Sequence, residues 1–87
     1  MNRIPVAKKR TLVHRSTADW FDILEVEDHG TFISVLCGGV GQYERMIKLR
    51  DEEIAAFRKS GEKGLSRLVR EICWGGHKER EYFDEQS

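Results

Sequence analysis

The pattern of apolar and polar residues has two different periods along this chain, and the period changes at Leu49. Before Leu49, apolar residues alternate with polar ones or form short unbroken runs, as they do in strands. After Leu49, they recur at every third or fourth position, as they do on one face of a helix. This order predicts an α+β fold, in which a C-terminal helical segment packs on one face of an antiparallel sheet.

Four segments before the change of period have the composition of strands. Residues 10–15 form a short, edge-like strand, and residues 20–26 combine aromatic and branched side chains with spaced acids. Residues 31–37 form the most apolar run and are therefore predicted to be the central strand. Residues 43–49 fit a strand that places Tyr43, Arg45, Ile47 and Leu49 on one face and Glu44, Met46 and Lys48 on the other. The prediction is an antiparallel sheet of three to four strands over residues 10–49, joined as a meander.

Turn chemistry and alternation fix the details of this meander. Asp28 and Gly30 suit a hairpin, because glycine readily adopts the positive φ that such a turn needs. In the last strand, Glu44 and Met46 are predicted on one face, and Arg45 and Ile47 on the other.

The helical segment is predicted over residues 51–74. Three acids at residues 51–53 suit the positive end of the helix dipole, and the glycines at 75 and 76 end the helix. Gly61 and Gly64 weaken its middle, so the segment is either one helix kinked near Gly61 or two shorter helices. The apolar stripe consists of Ile54, Phe57, Gly61, Leu65, Leu68 and Ile72.

The length of 87 residues predicts a single domain, 1–87. Residues 1–9 are expected to be a loose basic arm, and residues 77–87 a charged tail. A domain of this size buries only roughly 60–65% of its unfolded surface, which leaves little room for a deep pocket. No apolar run approaches about 18 residues, and no apolar core follows the basic start, so we expect a cytoplasmic chain without membrane contact.

Basic and acidic residues balance to a net charge of zero, but they are segregated along the chain. Segregation of this kind bears on partners and association rates rather than on fold. The start of the chain carries only bases, namely Arg3, Lys8, Lys9, Arg10 and Arg15. Residues 16–34 carry only acids, namely Asp19, Asp22, Glu25, Glu27 and Asp28.

Cysteine and histidine residues are the main candidates for catalysis or metal binding. Cys37 would be a nucleophile if His14 or His29 lay beside it, but a cysteine among apolar strand residues is typical of a core. Cys73 and His77 lack the paired signature of a structural zinc site. We therefore predict no catalytic residue, no metal, no cofactor and no enzymatic activity, and two reduced thiols rather than a disulfide.

The stretch CGGVGQY, residues 37–43, holds three glycines within four positions. It lacks the lysine and the helix start of a phosphate-binding loop, and strands are predicted on both sides. A connection between strands is therefore predicted, with glycine supplying positive φ values or a bulge. A second interpretation stays open, in which Gly38, Gly39 and Gly41 form a surface against which a partner's backbone packs.

Acidic residues cluster on the strand at 20–26 and on the turn after it, beside Trp20. Charges on an exposed strand commonly prevent edge-to-edge aggregation. The alternative is a patch that steers a basic partner toward an aromatic anchor. The residues predicted to bind the partner are Trp20, Asp22, Glu25, Glu27, Asp28 and Trp74.

A resemblance to a known group of proteins covers residues 30–72. It lies in the sequence GTFISVLCGGVGQYERMIKL followed by RDEEIAAFRKSGEKGLSRLVREI, which resembles small bacterial immunity-type proteins. Such proteins neutralise secreted toxins, as in contact-dependent inhibition systems. The shared features are a strand, a glycine-bearing turn, a second strand and a helix with regularly spaced apolar residues. The resemblance carries no catalytic motif and implies a protein partner.

These observations favour a non-enzymatic protein-binding module of the bacterial cytoplasm, acting as an immunity-type or antitoxin-like toxin inhibitor. Its acidic patch would occupy the basic cleft of a toxin, such as a nuclease, with carboxylates in place of phosphates. The alternative is a small nucleic-acid-binding or regulatory protein that uses the basic arm and the basic helix face. The isoelectric point of about 6.8 makes this alternative less favoured. Both a monomer and a dimer remain open.

Overall fold

The computed structural model of the chain describes residues 2–38 and 41–84. Its strands are β1 (Asn2–Ile4), β2 (Arg10–Ser16), β3 (Phe21–Val26), β4 (Gly30–Cys37), β5 (Tyr43–Lys48) and β6 (Glu81–Asp84). Between β5 and β6 lie the helices α1 (Asp51–Ser60) and α2 (Ser66–Cys73), joined by a 3-10 turn (Gly61–Leu65). A second 3-10 turn (Lys78–Arg80) leads into β6.

The strands form one sheet with the spatial order β1-β6-β5-β4-β3-β2. The strands β2 to β5 pair antiparallel with their neighbours in the chain, as in the predicted meander. β6 is antiparallel to β5, whereas β1 lies parallel to β6. The α+β class is confirmed, and the prediction of an antiparallel sheet of three to four strands is corrected to a mixed sheet of six.

The two additional strands come from the segments that we expected to be a loose basic arm and a charged tail. β1 has three residues and β6 has four, which is too short for an alternating pattern to be recognised. Each is stabilised by pairing with the other, and β6 also pairs with β5. Ile4 shows why the arm is ordered, because its side chain is fully buried against Val26 and Phe32.

The sheet is strongly curled, so that strands from its two sides come together. Arg10 on β2 forms an ion pair with Asp84 on β6. Three strands lie between them, and a flat sheet would place β2 and β6 about 19 Å apart. Ile4 on β1 likewise packs with Phe32 on β4. A small second core therefore fills part of the concave face, where the rings of Phe32 and Tyr82 meet edge to face at 4.9 Å.

The main core lies between the convex face of the sheet and the two helices. It consists of Phe21, Ile23, Ile33, Val35, Cys37, Ile47, Leu49, Leu65, Leu68 and Ile72. One charged side chain enters it, since Arg45 is only 5% exposed. Arg45 donates hydrogen bonds to the carbonyl oxygen of Ile72 and to the carboxylate of Glu81, the latter at 2.7 Å. This buried pair ties the end of α2 to β5 and β6.

The helical layer is divided in two at Gly61. Gly61 has a φ of +67° and donates its N–H to the carbonyl of Phe57, which ends α1. Gly64 then lets the 3-10 turn approach α1 closely, because a Cβ there would lie 2.4 Å from the carbonyl oxygen of Ala56. The structure therefore has the two-helix form of the predicted segment. None of the helices within the described ranges has the length and apolar character needed to cross a membrane.

Candidate functional site

The concave face of the sheet carries an open groove beside the small second core. Two adjoining depressions of about 230 and 180 Å³ form it, and Ser34 and Glu44 line both. Trp20 lines one end, and Met46 and Tyr82 line the other. This surface is called the concave groove below.

The pairing register explains why these side chains share one face. Asp22, Ser34, Met46 and Tyr82 are successive partners across β3, β4, β5 and β6. Directly paired residues project to the same side of a sheet, so this row crosses the groove. Leu36 lies two positions beyond Ser34 on the same side and also lines it. The groove floor therefore combines apolar side chains, such as Leu36 and Met46, with polar groups on Asp22, Ser34 and Tyr82.

The charged residues around the groove are paired, with one exception. Nε of Arg15 donates to Oδ1 of Asp22 at 3.0 Å, and Arg10 pairs with Asp84. Glu44 is exposed, and no basic side chain in the described ranges forms an ion pair with it. One carboxylate is thus left over in the groove, which suits a cationic group of a ligand.

Trp20 stands at the end of the groove in a conformation that bulky residues rarely adopt. Its φ is +57°, in the left-handed region that costs an L-residue roughly 1–2 kcal/mol. Its carbonyl accepts a hydrogen bond from the N–H of Leu36 at 2.9 Å, which fixes the turn against β4. The side chain remains 63% exposed. The turn therefore holds an exposed indole in a conformation that glycine would adopt without strain.

The acids predicted to form one patch lie in three different places. Asp22 lies in the concave groove, whereas Glu25 has the opposite parity to Asp22 on β3 and lies on the convex side. Glu27 and Asp28 belong to the β3–β4 turn, at the other end of β3 from Trp20 and roughly 20 Å away along the strand. The structure therefore does not gather these acids around the indole.

Part of this acidic charge is neutralised within the chain. Oδ2 of Asp28 forms an ion pair with Nζ of Lys8 at 2.8 Å. The hydrogen bond and the charge of Lys8 lower the pKa of Asp28, and the same contact with Asp28 raises the pKa of Lys8. Glu25 and Glu27 are exposed and form no ion pair with a described residue. The basic arm and the acidic turn are thus partly each other's counterions.

Trp74 lies away from the groove, on the helical side of the molecule. It follows α2 directly and is 90% exposed. Together with Arg67 and Arg70 it lines a shallow depression on that side. Trp20 and Trp74 therefore mark two separate surfaces, although the sequence suggested a common site.

A hydrogen-bonded cluster joins β2 to the 3-10 turn after α1. Glu62 accepts a hydrogen bond from Oγ of Ser16 at 2.9 Å and contacts Nε2 of His14 at 2.6 Å. These bonds, that of His14 first, lower the pKa of Glu62. The carboxylate lies between the imidazole and the hydroxyl group, so His14 is not placed to activate Ser16. These contacts connect β2 of the sheet to the 3-10 turn of the helical layer.

The predicted candidates for nucleophile and metal ligands are placed as follows. Cys37 is 1% exposed, and burial, with the nearby thiol of Cys73, raises the pKa of Cys37 to about 12. Cys37 is thus a thiol at neutral pH, whereas the thiolate is the nucleophile. His29 hydrogen-bonds the carbonyl of Glu27 in its own turn. In residues 2–38 and 41–84, no three His, Cys, Asp or Glu side chains meet as a metal-binding group.

The glycine-rich stretch connects β4 to β5, as predicted. Gly38 and Gly41 have φ values of +84° and +75°, in the region that favours glycine. Gly39 and Val40 lie outside the described residues. A Cβ on Gly41 would meet nothing within 4 Å, whereas one on Gly38 would touch the ring of Tyr43 at 3.4 Å. Contact of Gly38, Gly39 and Gly41 with a partner stays a prediction.

Most residues of the groove, Ser34 and Glu44 among them, were not among those predicted from the sequence to bind a partner. A signal for Glu44 was present, because the alternation over residues 43–49 places it with Met46 on the face opposite Arg45. What the pattern does not contain is which face the helices cover. That choice makes Glu44 a groove residue and Arg45 a core residue.

Comparison of the chain with protein-family models, with curated proteins and with solved structures found no match in any of the three. Function therefore has to be inferred from the geometry described above.

Proposed function

We propose that the chain is a non-enzymatic protein-binding module whose concave groove receives a basic segment of a partner protein. In this proposal it acts as an immunity-type inhibitor, and the segment belongs to the basic cleft of a toxin such as a nuclease. By binding that segment, the chain would cover the cleft and block the toxin.

The observation that carries the proposal is that Trp20 and Glu44 line the same depression of the groove. A lysine or arginine of the partner would lay its aliphatic stem on the apolar side chain of Leu36 and reach Glu44 with its charged end. The exposed indole of Trp20 would cover a guanidinium group through a cation–π contact. Arg15 is paired with Asp22, so among the described residues that line this depression no unpaired basic side chain favours a phosphate.

The exposed acids at the far end of β3 have a separate role in this proposal. Glu25 and Glu27 extend the negative potential beyond the groove, and this potential would raise the association rate with a basic partner. Such steering is long-range, so it weakens as the ionic strength rises.

The test uses random peptides displayed on phage, selected on the immobilised wild-type chain. We expect the selected peptides to share a lysine or arginine beside an apolar residue. Synthetic versions should lose at least tenfold in affinity for Glu44→Lys and for Trp20→Ala, because each change removes one side of the depression. Glu52→Lys makes the same charge change on the exposed start of α1 and should leave the affinity unchanged.

Two outcomes would contradict the proposal. The first is a set of selected peptides without basic residues. The second is equal binding of the selected peptides to the wild type and to Glu44→Lys. Circular dichroism of every variant, recorded beforehand, separates a lost contact from a lost fold.

A second candidate function is favoured by one observation on the helical side. Trp74 is almost fully exposed beside Arg70, and an aromatic ring next to an arginine suits a stacked base and its phosphate. A fluorescence titration with single-stranded DNA at low salt tests it. Binding lost with Trp74→Ala, and kept with Trp20→Ala, would favour nucleic acid over a protein partner.

A further inference from the structure

Cys37 and Cys73 are distant in the sequence but meet at one end of the main core. Cys37 is the last residue of β4, and its buried side chain points toward the helices, as those of Ile33 and Val35 do. Cys73 is the last residue of α2, is half-buried and packs against the same cluster. The fold thus brings a strand end and a helix end together with one thiol on each.

Arg45 holds the last turn of α2 over this end of the sheet. Its guanidinium donates to the carbonyl oxygen of Ile72, the residue before Cys73. Arg45 itself pairs with Val35, two residues before Cys37 on β4. Cys37 and Cys73 consequently lie at the same end of the core, where Sγ of Cys37 donates to the carbonyl oxygen of Val35 at 3.8 Å. Burial, followed by the neighbouring thiol of Cys73, raises the pKa of Cys37.

We infer that Cys37 and Cys73 form a reversible intramolecular disulfide when the chain meets a low-molecular-weight disulfide such as oxidised glutathione. The thiolate of Cys73 attacks one glutathione sulfur, which forms a mixed disulfide and releases one glutathione thiolate. Cys37 then gives its proton to a glutathione thiolate, and its sulfur attacks the sulfur of Cys73. This step expels the second glutathione, so two protein thiols are oxidised and one glutathione disulfide is reduced to two thiols.

The unequal burial of the two thiols sets the order of these steps. Cys73 is reachable from solvent, whereas Cys37 is 1% exposed and cannot meet glutathione in the folded chain. The second step involves a thiol that ionises with difficulty, which slows it in a bimolecular reaction. Here the two sulfurs are held together by the fold, and such proximity gives an intramolecular reaction a very high effective concentration.

The disulfide would tether α2 to β4 at a point where two exposed features begin. Trp74 follows Cys73, and Gly38 follows Cys37, so both the aromatic surface beside α2 and the glycine turn would be held in place. The concave groove takes no part in this chemistry. The inference therefore holds or fails independently of the proposed protein-binding function.

The test equilibrates the full chain with mixtures of reduced and oxidised glutathione, quenches with acid and measures the intact mass after maleimide labelling. The expected product has lost two hydrogen atoms, carries no glutathione and no maleimide, and returns to the dithiol with dithiothreitol. In Cys37→Ser, Cys73 should remain glutathionylated, because no second thiol resolves it. In Cys73→Ser, Cys37 should stay unmodified, because it is buried.

Urea supplies the control for proximity. In the unfolded chain the fraction of intramolecular disulfide at a fixed glutathione ratio should fall at least tenfold, because the fold no longer holds the sulfurs together. Three results would overturn the inference: persistent glutathione on Cys73 of the wild type, disulfide-linked dimers, or equal disulfide formation with and without urea. Circular dichroism of both serine variants verifies that they fold.

Discussion

Arg80 and Glu53 form a two-pronged ion pair that joins the start of α1 to the turn before β6. The two guanidinium nitrogens lie 2.5 and 2.7 Å from the two carboxylate oxygens. Arg80 also donates to the carbonyl oxygen of Lys48 at 3.0 Å, and Glu53 accepts the backbone N–H of Arg50 at 2.8 Å. One pair of side chains therefore connects the helical layer, the end of β5 and the beginning of β6.

Replacing Arg80 by methionine should destabilise the chain by about 2–3 kcal/mol. The change leaves the half-buried carboxylate of Glu53 without its counterion, and breaking a buried pair from one side is costly. Breaking a fully buried pair from one side costs about 3–5 kcal/mol. The value expected here lies at or just below that range, because both side chains keep some contact with water. Urea denaturation measures it. Arg58→Met, an exposed change on α1, is the control and should lie within about 0.5 kcal/mol of the wild type.

Acid should weaken the fold through Glu53. Burial alone would raise the pKa of Glu53, but the hydrogen bonds from Arg80 and Arg50 outweigh burial and lower it. A lowered pKa means that the stabilisation is fully present above the ordinary glutamate pKa of about 4.3 and is lost as the pH falls through the folded value. The stability difference between the wild type and Glu53→Gln should therefore shrink below about pH 4. A difference independent of pH would contradict this assignment.

Ile4→Ala should cost about 3 kcal/mol, although Ile4 lies near the start of the chain. Its side chain is fully buried against Val26 and Phe32, so the substitution leaves a cavity in the second core. Val6→Ala is the matched control, because Val6 is 65% exposed. This substitution also shortens an apolar side chain, but at the surface. Thermal unfolding of both variants gives the two midpoints, and that of Ile4→Ala should be the lower. Equal midpoints would mean that β1 is a loose arm after all.

Gly64→Ala should destabilise the helical layer by about 1–3 kcal/mol, even though alanine favours helices. The added Cβ would lie 2.4 Å from the carbonyl oxygen of Ala56, so the 3-10 turn has to move away from α1. Lys63→Ala, at the exposed neighbouring position, should be close to neutral. Chemical denaturation distinguishes the two. A more stable Gly64→Ala variant would show that the backbones are not in contact.

Glycine should be better tolerated than alanine at position 20. At most positions alanine is the more stabilising of the two, since glycine leaves the unfolded chain with more freedom. The φ of +57° at Trp20 reverses this order, so Trp20→Gly should be more stable than Trp20→Ala by about 1 kcal/mol. Urea titrations of both variants measure the difference. If alanine proved the more stable, the left-handed conformation would not persist in solution.

The local elements were predictable because periodic patterns carry them. The alternation over residues 43–49 and the stripe from Ile54 to Ile72 gave β5 and the helical layer. β1 and β6 were missed for a physical reason: three or four residues contain no period, and their order comes from partners at the other end of the chain. Asn2 pairs with Tyr82, and nothing local in either segment signals that contact.

The candidate site was predictable only in part. The sequence indicated Trp20 and Asp22, which the structure places in the concave groove. It did not indicate Glu44, because a strand pattern distinguishes two faces without showing which one will be covered. The acids at Glu27 and Asp28 looked close to Trp20 in sequence, yet the length of β3 separates them.

The pairing of β1 with β6 also bears on how the chain is made in the cell. A ribosome delivers β1 well before β6, the partner strand that includes Tyr82. The β2–β5 meander can form earlier, since its contacts join neighbouring hairpins. Until synthesis reaches β6, Ile4 and Phe32 have no closed core to enter, so the nascent chain exposes its concave side to chaperones and proteases.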